Sequence, residues 1–194
     1  MKKVTLFSLL LLIAAGCSGT AMASSFTGAT VNWQYYAFGG PFTGGTSSGS
    51  FIDNGTVGGT FNDGFFTYFN IIAGSNYITF DYSVDTLCCV SWANSILSKS
   101  PNLYNGIDIV FSGGPTLTSV GVNAATNMVG FNSSYVTVLN GNEIEVDWHS
   151  LPFDTGTIVK LDLNNTGTPE PGSLLLLGTG LLGVVGVLRR KINL

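Results

Sequence analysis

Three groups of side chains carry chemically useful atoms at useful spacing. Glu143, Glu145 and Asp147 recur at every second position of NEIEVDW. On one strand, neighbouring carboxylates of that row would stand about 6.5–7 Å apart. That separation suits the paired acid and base of a glycoside hydrolase, provided that a cleft holds them and their proton affinities differ. His149, the single histidine, follows at once and could join Asp147 or Asp154 and a serine such as Ser150 in a relay. No G-x-S-x-G element accompanies it, and the chain has too few His and Cys for a zinc site. Cys88 and Cys89 are adjacent. In an oxidising compartment they can form a vicinal disulfide, bond another chain or stay as thiols, and no CxxC redox motif is present. Asp53-Asn54 and Asn62-Asp63 are the candidate oxygen ligands for Ca²⁺, although neither lies in an EF-hand loop. The bland readings are the expected ones. The acidic row is a solvated strand face, His149 ends a strand at the surface, and the cysteines are a vicinal bridge or free thiols. No catalytic residue, cofactor or metal is assigned.

The elements that would position these groups are strands. In VNWQYY, Val31, Trp33 and Tyr35 alternate with polar residues. Ile78, Phe80, Tyr82 and Val84 share one face of YITFDYSV. Ile144, Val146 and Trp148 oppose the acidic row, and Val159, Leu161 and Leu163 oppose Lys160 and Asp162. Period-two patterning broken by Asn54-Gly55, Asp63-Gly64, Gly113-Gly114-Pro115 and Asn140-Gly141 predicts an all-β, antiparallel β-sandwich of jelly-roll or immunoglobulin-like type. Asn140-Gly141 is the predicted hairpin turn before the acidic strand. Residues 91–98 are expected to form a short helical turn, and Tyr36 is the aromatic most expected outside.

Charge is distributed unevenly. Between Ser24 and Thr168 the chain has ten carboxylates, two lysines and no arginine. Such a surface repels a phosphate backbone and excludes nucleic acid as a partner. The other basic residues cluster at the tips, at Lys2 and Lys3 and at Arg189, Arg190 and Lys191. Residues 1–23 read as a signal peptide: a basic start, an apolar core too short to span a bilayer, and Ala21-Met22-Ala23 before cleavage between Ala23 and Ser24. A rival lies in Ala14-Ala15-Gly16-Cys17, which resembles a bacterial lipoprotein box with Cys17 as the acylated residue. Either way the middle of the chain, residues 24–163, leaves the cytoplasm as one domain. Residues 164–168, NNTGT, read as a linker.

The last stretch answers to a different logic. Gly172 to Leu188 carry no charge, and as a helix they span ~25 Å, near the lower limit for a ~30 Å hydrocarbon core. Arg189, Arg190 and Lys191 then stop on the cytoplasmic side. A plain tail anchor accounts for both features, but not for Pro169-Glu170-Pro171 placed directly before them. With Leu174–Leu177, Gly180-Leu181-Leu182-Gly183 and Arg189-Arg190, residues 169–194 resemble the PEP-CTERM sorting domain of Gram-negative bacteria. The resemblance implies that an exosortase, a membrane cysteine transpeptidase-like enzyme, removes the tail near Pro169-Glu170-Pro171. It further implies an inner-membrane precursor whose body passes to the cell surface or an exopolysaccharide matrix. Two prolines keep the backbone extended where that enzyme must reach it. The function expected is structural or adhesive, without enzymatic activity. A lectin-like glycan-binding module is the alternative and a secreted glycan-processing enzyme the third reading.

Overall fold

The computed structural model describes residues 25–87, 89–99 and 102–166. Among them there is no α-helix, and all strand pairs are antiparallel. In the first sheet, β1 (Thr30–Ala37) pairs with β8 (Gly106–Ser112) on one side, and with β2 (Gly40–Pro41) and β3 (Ser48–Ile52) on the other. Beyond β8 come β11 (Glu143–Asp147) and β10 (Val136–Leu139). The second sheet runs β4 (Val57–Asn62), β5 (Thr67–Gly74), β6 (Tyr77–Asp81), β13 (Ile158–Thr166) and β9 (Thr116–Val122). A two-stranded ribbon joins β7 (Val90–Ser91) to β12 (Pro152–Phe153).

The alternation read from the sequence sets the core. Val31, Trp33 and Tyr35 from β1, Ile144 and Val146 from β11, Ile78 and Phe80 from β6, and Val159, Leu161 and Leu163 from β13 are all buried in one cluster. Rings from the two sheets meet there: Trp148 lies 5.2 Å from both Phe69 and Phe80, centroid to centroid. Burying a ring of that size contributes about 2–3 kcal/mol. The hairpin at Asn140-Gly141 forms as predicted, with Asn140 and Gly141 both at positive φ and Leu139 opposite Glu143.

Some expectations change. Residues 92–98 form no helical turn; with Lys99 they make an irregular strap that is bonded to the first sheet through Phe38, Gly39 and Asp108. Tyr36 is half-buried rather than outside, because Lys99 of that strap sits 5.5 Å from its ring centroid. Asn164, Asn165 and Thr166 are paired to Ser119, Leu117 and Thr116, so β13 consumes three of the five residues read as linker.

The register gives the body two poles. At one, Phe26 bonds Ser75 in the β5–β6 turn, Leu163 bonds Asn76, and β13 ends at Thr166. At the other lie the β1–β2 turn at Phe38-Gly39, the β4–β5 turn at Asp63–Phe66, and the strap. The expected signal peptide, the cleavage pair Ala23/Ser24, Cys17, Cys88, and the tail with the helix expected at 172–188 lie outside the described residues. Among the described residues, no helix is long and apolar enough to cross a membrane.

Candidate functional site

The acidic row is not a solvated face. Glu143 is half-buried, Glu145 is 2% exposed and Asp147 is buried. The strap is the cause. β11 lies beside β8, which sets Glu145 directly opposite Asp108, and Lys99 reaches down from the strap over both. Its Nζ lies 2.7 Å from Asp108 Oδ2, 2.6 Å from Glu143 Oε1 and 3.5 Å from Glu145 Oε1. The last contact is attractive but not a hydrogen bond: both Glu145 oxygens and Asp108 Oδ1 are buried without a hydrogen-bond partner among the described residues.

Three carboxylates therefore share one ammonium, and their proton affinities separate. Burial pushes Asp108 and Glu145 up, only partly offset by Lys99 and reinforced by the neighbouring carboxylates. Burial also opposes ionisation of Glu143, but its bond to Lys99 outweighs that and holds it below the usual range. Burial disfavours charge on Lys99 as well, yet its carboxylate partners hold its proton more tightly than usual. One ligand oxygen from each of Asp108, Glu143 and Glu145 falls within 4.8 Å of the others, close enough for a metal ion or for acid–base work. The ammonium occupies the position that a cation would take. The arrangement clamps a strap to a sheet.

Asp147 has a separate task. Its Oδ1 accepts the backbone N–H of Asn105 at 2.9 Å and of Tyr104 at 3.3 Å, fixing the end of the strap. Its Oδ2 meets His149 Nδ1. The imidazole packs beside Tyr104 and Tyr135, and no serine hydroxyl bonds to it among the described residues. Lys99 and Asp108 were not singled out in the sequence. Asp108 alternates with Ile107 and Ile109 and so carried a signal, whereas Lys99 stood in a segment without period.

The candidate calcium ligands separate too. Asp63 is used locally: Oδ1 accepts the N–H of Phe65 and of Phe66, and Oδ2 accepts the Tyr68 hydroxyl. Asp53 is 1% exposed with neither oxygen hydrogen-bonded among the described residues, and burial raises its proton affinity. Cys89 is disulfide-bonded and sits at φ 60°, in the left-handed region.

Two clefts flank the β7–β12 ribbon. One, about 220 Å³, opens between Phe38, Phe42, Asp63 and Leu87 onto Trp92. Its floor is a stack of rings, with Tyr35 and Phe61 3.9 Å apart, whose polar tips are satisfied: the Tyr35 hydroxyl donates to Asn105 and accepts from Trp148 Nε1. The other, about 440 Å³, is lined by Cys89, Asn127, Val129 and Asp154. A third groove of about 450 Å³ runs between β3 and β4 over Trp33.

The described body is all-β, with antiparallel sheets and half of its carboxylates buried. The particular finding is at the tail: residues 168–191 match a family model, the PEP-CTERM protein-sorting motif. That motif implies export, anchoring at the membrane and processing by exosortase. No curated protein and no solved structure matches the chain.

Proposed function

We propose that this chain is an exported structural or adhesive protein of the exopolysaccharide matrix, not an enzyme. Its body is a β-sandwich, jelly-roll or immunoglobulin-like. The sorting motif at residues 168–191 carries this reading. Residues 1–23 direct export and are cut between Ala23 and Ser24. The helix at 172–188 holds the precursor in the inner membrane, with Arg189, Arg190 and Lys191 inside. Exosortase then cuts near Pro169, Glu170 and Pro171 and frees the body for the cell surface. Lys99, seated on the acidic cluster, supports the non-enzymatic reading over a glycan hydrolase. Cys88 and Cys89 form a vicinal bridge; the disulfide at Cys89 and its left-handed backbone support this.

Mass spectrometry of the protein recovered from cells tests the reading. The chain should end near Pro169–Pro171. Retention of Arg189 and Arg190 in a host with working exosortase would overturn it. Thiol titration in denaturant should find no free thiol from Cys88 or Cys89. A lectin-like role is the second reading, favoured by the groove over Trp33.

A further inference from the structure

Trp33 stands apart from the other two tryptophans. Trp92 Nε1 donates to the Tyr82 hydroxyl at 3.3 Å, and Trp148 Nε1 donates to the Tyr35 hydroxyl at 3.1 Å. Trp33 as a residue is 4% exposed, yet its Nε1–H bonds no acceptor among the described residues and is not one of their buried unsatisfied atoms, so it is left open to solvent. The ring extends from β1 beneath Gly49 of β3, its cross-strand neighbour, toward Gly59 of β4. Two glycines keep this donor uncovered: a Cβ on Gly49 would lie 2.8 Å from Nε1, and one on Gly59 2.7 Å. The N–H thus points into the groove between the edge strands of the two sheets.

The rest of the groove selects the chemistry of what fills it. Ser48 and Ser50 line it, and their hydroxyls form no hydrogen bond among the described residues. No ionisable side chain lines it, although the surrounding domain carries ten carboxylates. An anionic ligand would be repelled, and a cation would find no carboxylate. An added peptide strand is disfavoured because β4 breaks register at Val57/Gly59 and again at Phe61/Asn62, which blunts that edge. What remains is a neutral ligand rich in hydroxyls. Its oxygens would accept from Trp33 Nε1–H and exchange bonds with Ser48 and Ser50, while its C–H faces lie on glycine backbone. We infer that the groove between β3 and β4 is a binding site for a neutral oligosaccharide, with the open Nε1–H of Trp33 as its donor. The inference deepens the matrix role and rests on it for where the sugar is met. Its test does not involve the tail.

The full chain, ¹⁵N-labelled and purified in a sugar-free detergent, gives three indole N–H resonances, and Trp33→Phe identifies that of Trp33. It is titrated with cellohexaose, maltohexaose, xylohexaose, the neutral polysaccharide fraction of the host, and a galacturonate hexamer. At least one neutral sugar should shift the Trp33 resonance saturably, leaving those of Trp92 and Trp148 in place, and the galacturonate should not. Gly49→Ala, on an exposed edge strand, should weaken that binding at least tenfold. Ser50→Ala, which adds no bulk, should weaken it severalfold and serves if the glycine variant fails to fold. No shift with any neutral sugar overturns the inference. So does a Trp33 shift that follows protein concentration alone, which would give the groove to a second copy of the chain.

Discussion

Lys99 is the residue on which most of the buried charge depends. Removing it leaves Asp108, Glu143 and Glu145 facing one another with no cation. Breaking a buried ion pair costs about 3–5 kcal/mol, and the partial exposure of Lys99 discounts that. Lys99→Ala should therefore lose about 2–3 kcal/mol at pH 7 in urea unfolding, with the deficit shrinking by pH 4 as the carboxylates take up protons. An unchanged midpoint would show that the clamp is ornamental. The same groups set the pH dependence of the whole body. Asp53, Asp108 and Glu145 hold protons more tightly folded than unfolded, so their contribution is full below the ordinary carboxylate range and falls as pH rises through their raised values. Asp63 and Glu143 are shifted down, so their contribution is lost only as pH falls below that range. Stability should then peak at roughly pH 4–5, where neither set works against the fold. Urea midpoints measured from pH 3 to 8 check this, and Glu145→Gln should flatten the decline on the alkaline side. A steady rise toward pH 7 would contradict the assignment.

Among the elements, those with a two-residue period were legible and the strap was not. Val31/Trp33/Tyr35 and Ile144/Val146/Trp148 announced their inner face because the other face alternated with it. The same pattern made Glu143, Glu145 and Asp147 an outer face, which is correct as geometry. It could not say that an aperiodic segment would lie over that face, nor that Lys99 would reach a carboxylate 44 residues away. Period reports direction; cover comes from tertiary contact. The β1–β2 turn was hidden for a related reason. Tyr36 opposite Pro41 and Ala37 opposite Gly40 leave Phe38 and Gly39 as a two-residue loop, with φ 57° and 93°. Asn-Gly is the usual sequence there, and a 67% exposed Phe is not. The strap holds it by other means, through Phe38 N–H to Ser95 Oγ at 2.7 Å and Gly39 N–H to Ser98 Oγ at 3.0 Å. Phe38→Asn should relieve the left-handed strain and stabilise the body by about 0.5–1 kcal/mol in thermal or urea unfolding. A loss of that size would mean that the ring's contact with Phe42 matters more than its backbone.

At the scale of the molecule, the two poles divide the work. The chain leaves at Thr166 on one pole, while Phe38, Phe65, Phe66, Ile96, Leu97 and Val129 are exposed at the other, Phe65 at 89%. The sorting motif at residues 168–191 begins two positions after that last paired residue. The tether itself is short. β13 stays paired through Thr166, so only Gly167 and Thr168 separate a strand from Pro169. Two extended residues reach about 7 Å. A processing enzyme must enclose the backbone around Pro169-Glu170-Pro171, and a folded sheet that close limits how deeply it can do so. Lengthening this gap should therefore speed processing, and closing it should slow processing. In pulse-chase labelling, six Gly/Ser residues inserted after Thr168 should shorten the life of the precursor. Deleting Gly167 and Thr168 should extend it severalfold, with the body's unfolding midpoint unchanged in both. If deletion left the rate as it was, β13 would have to unpair before cleavage, and replacing Asn164 by proline to break that pairing should then speed processing instead.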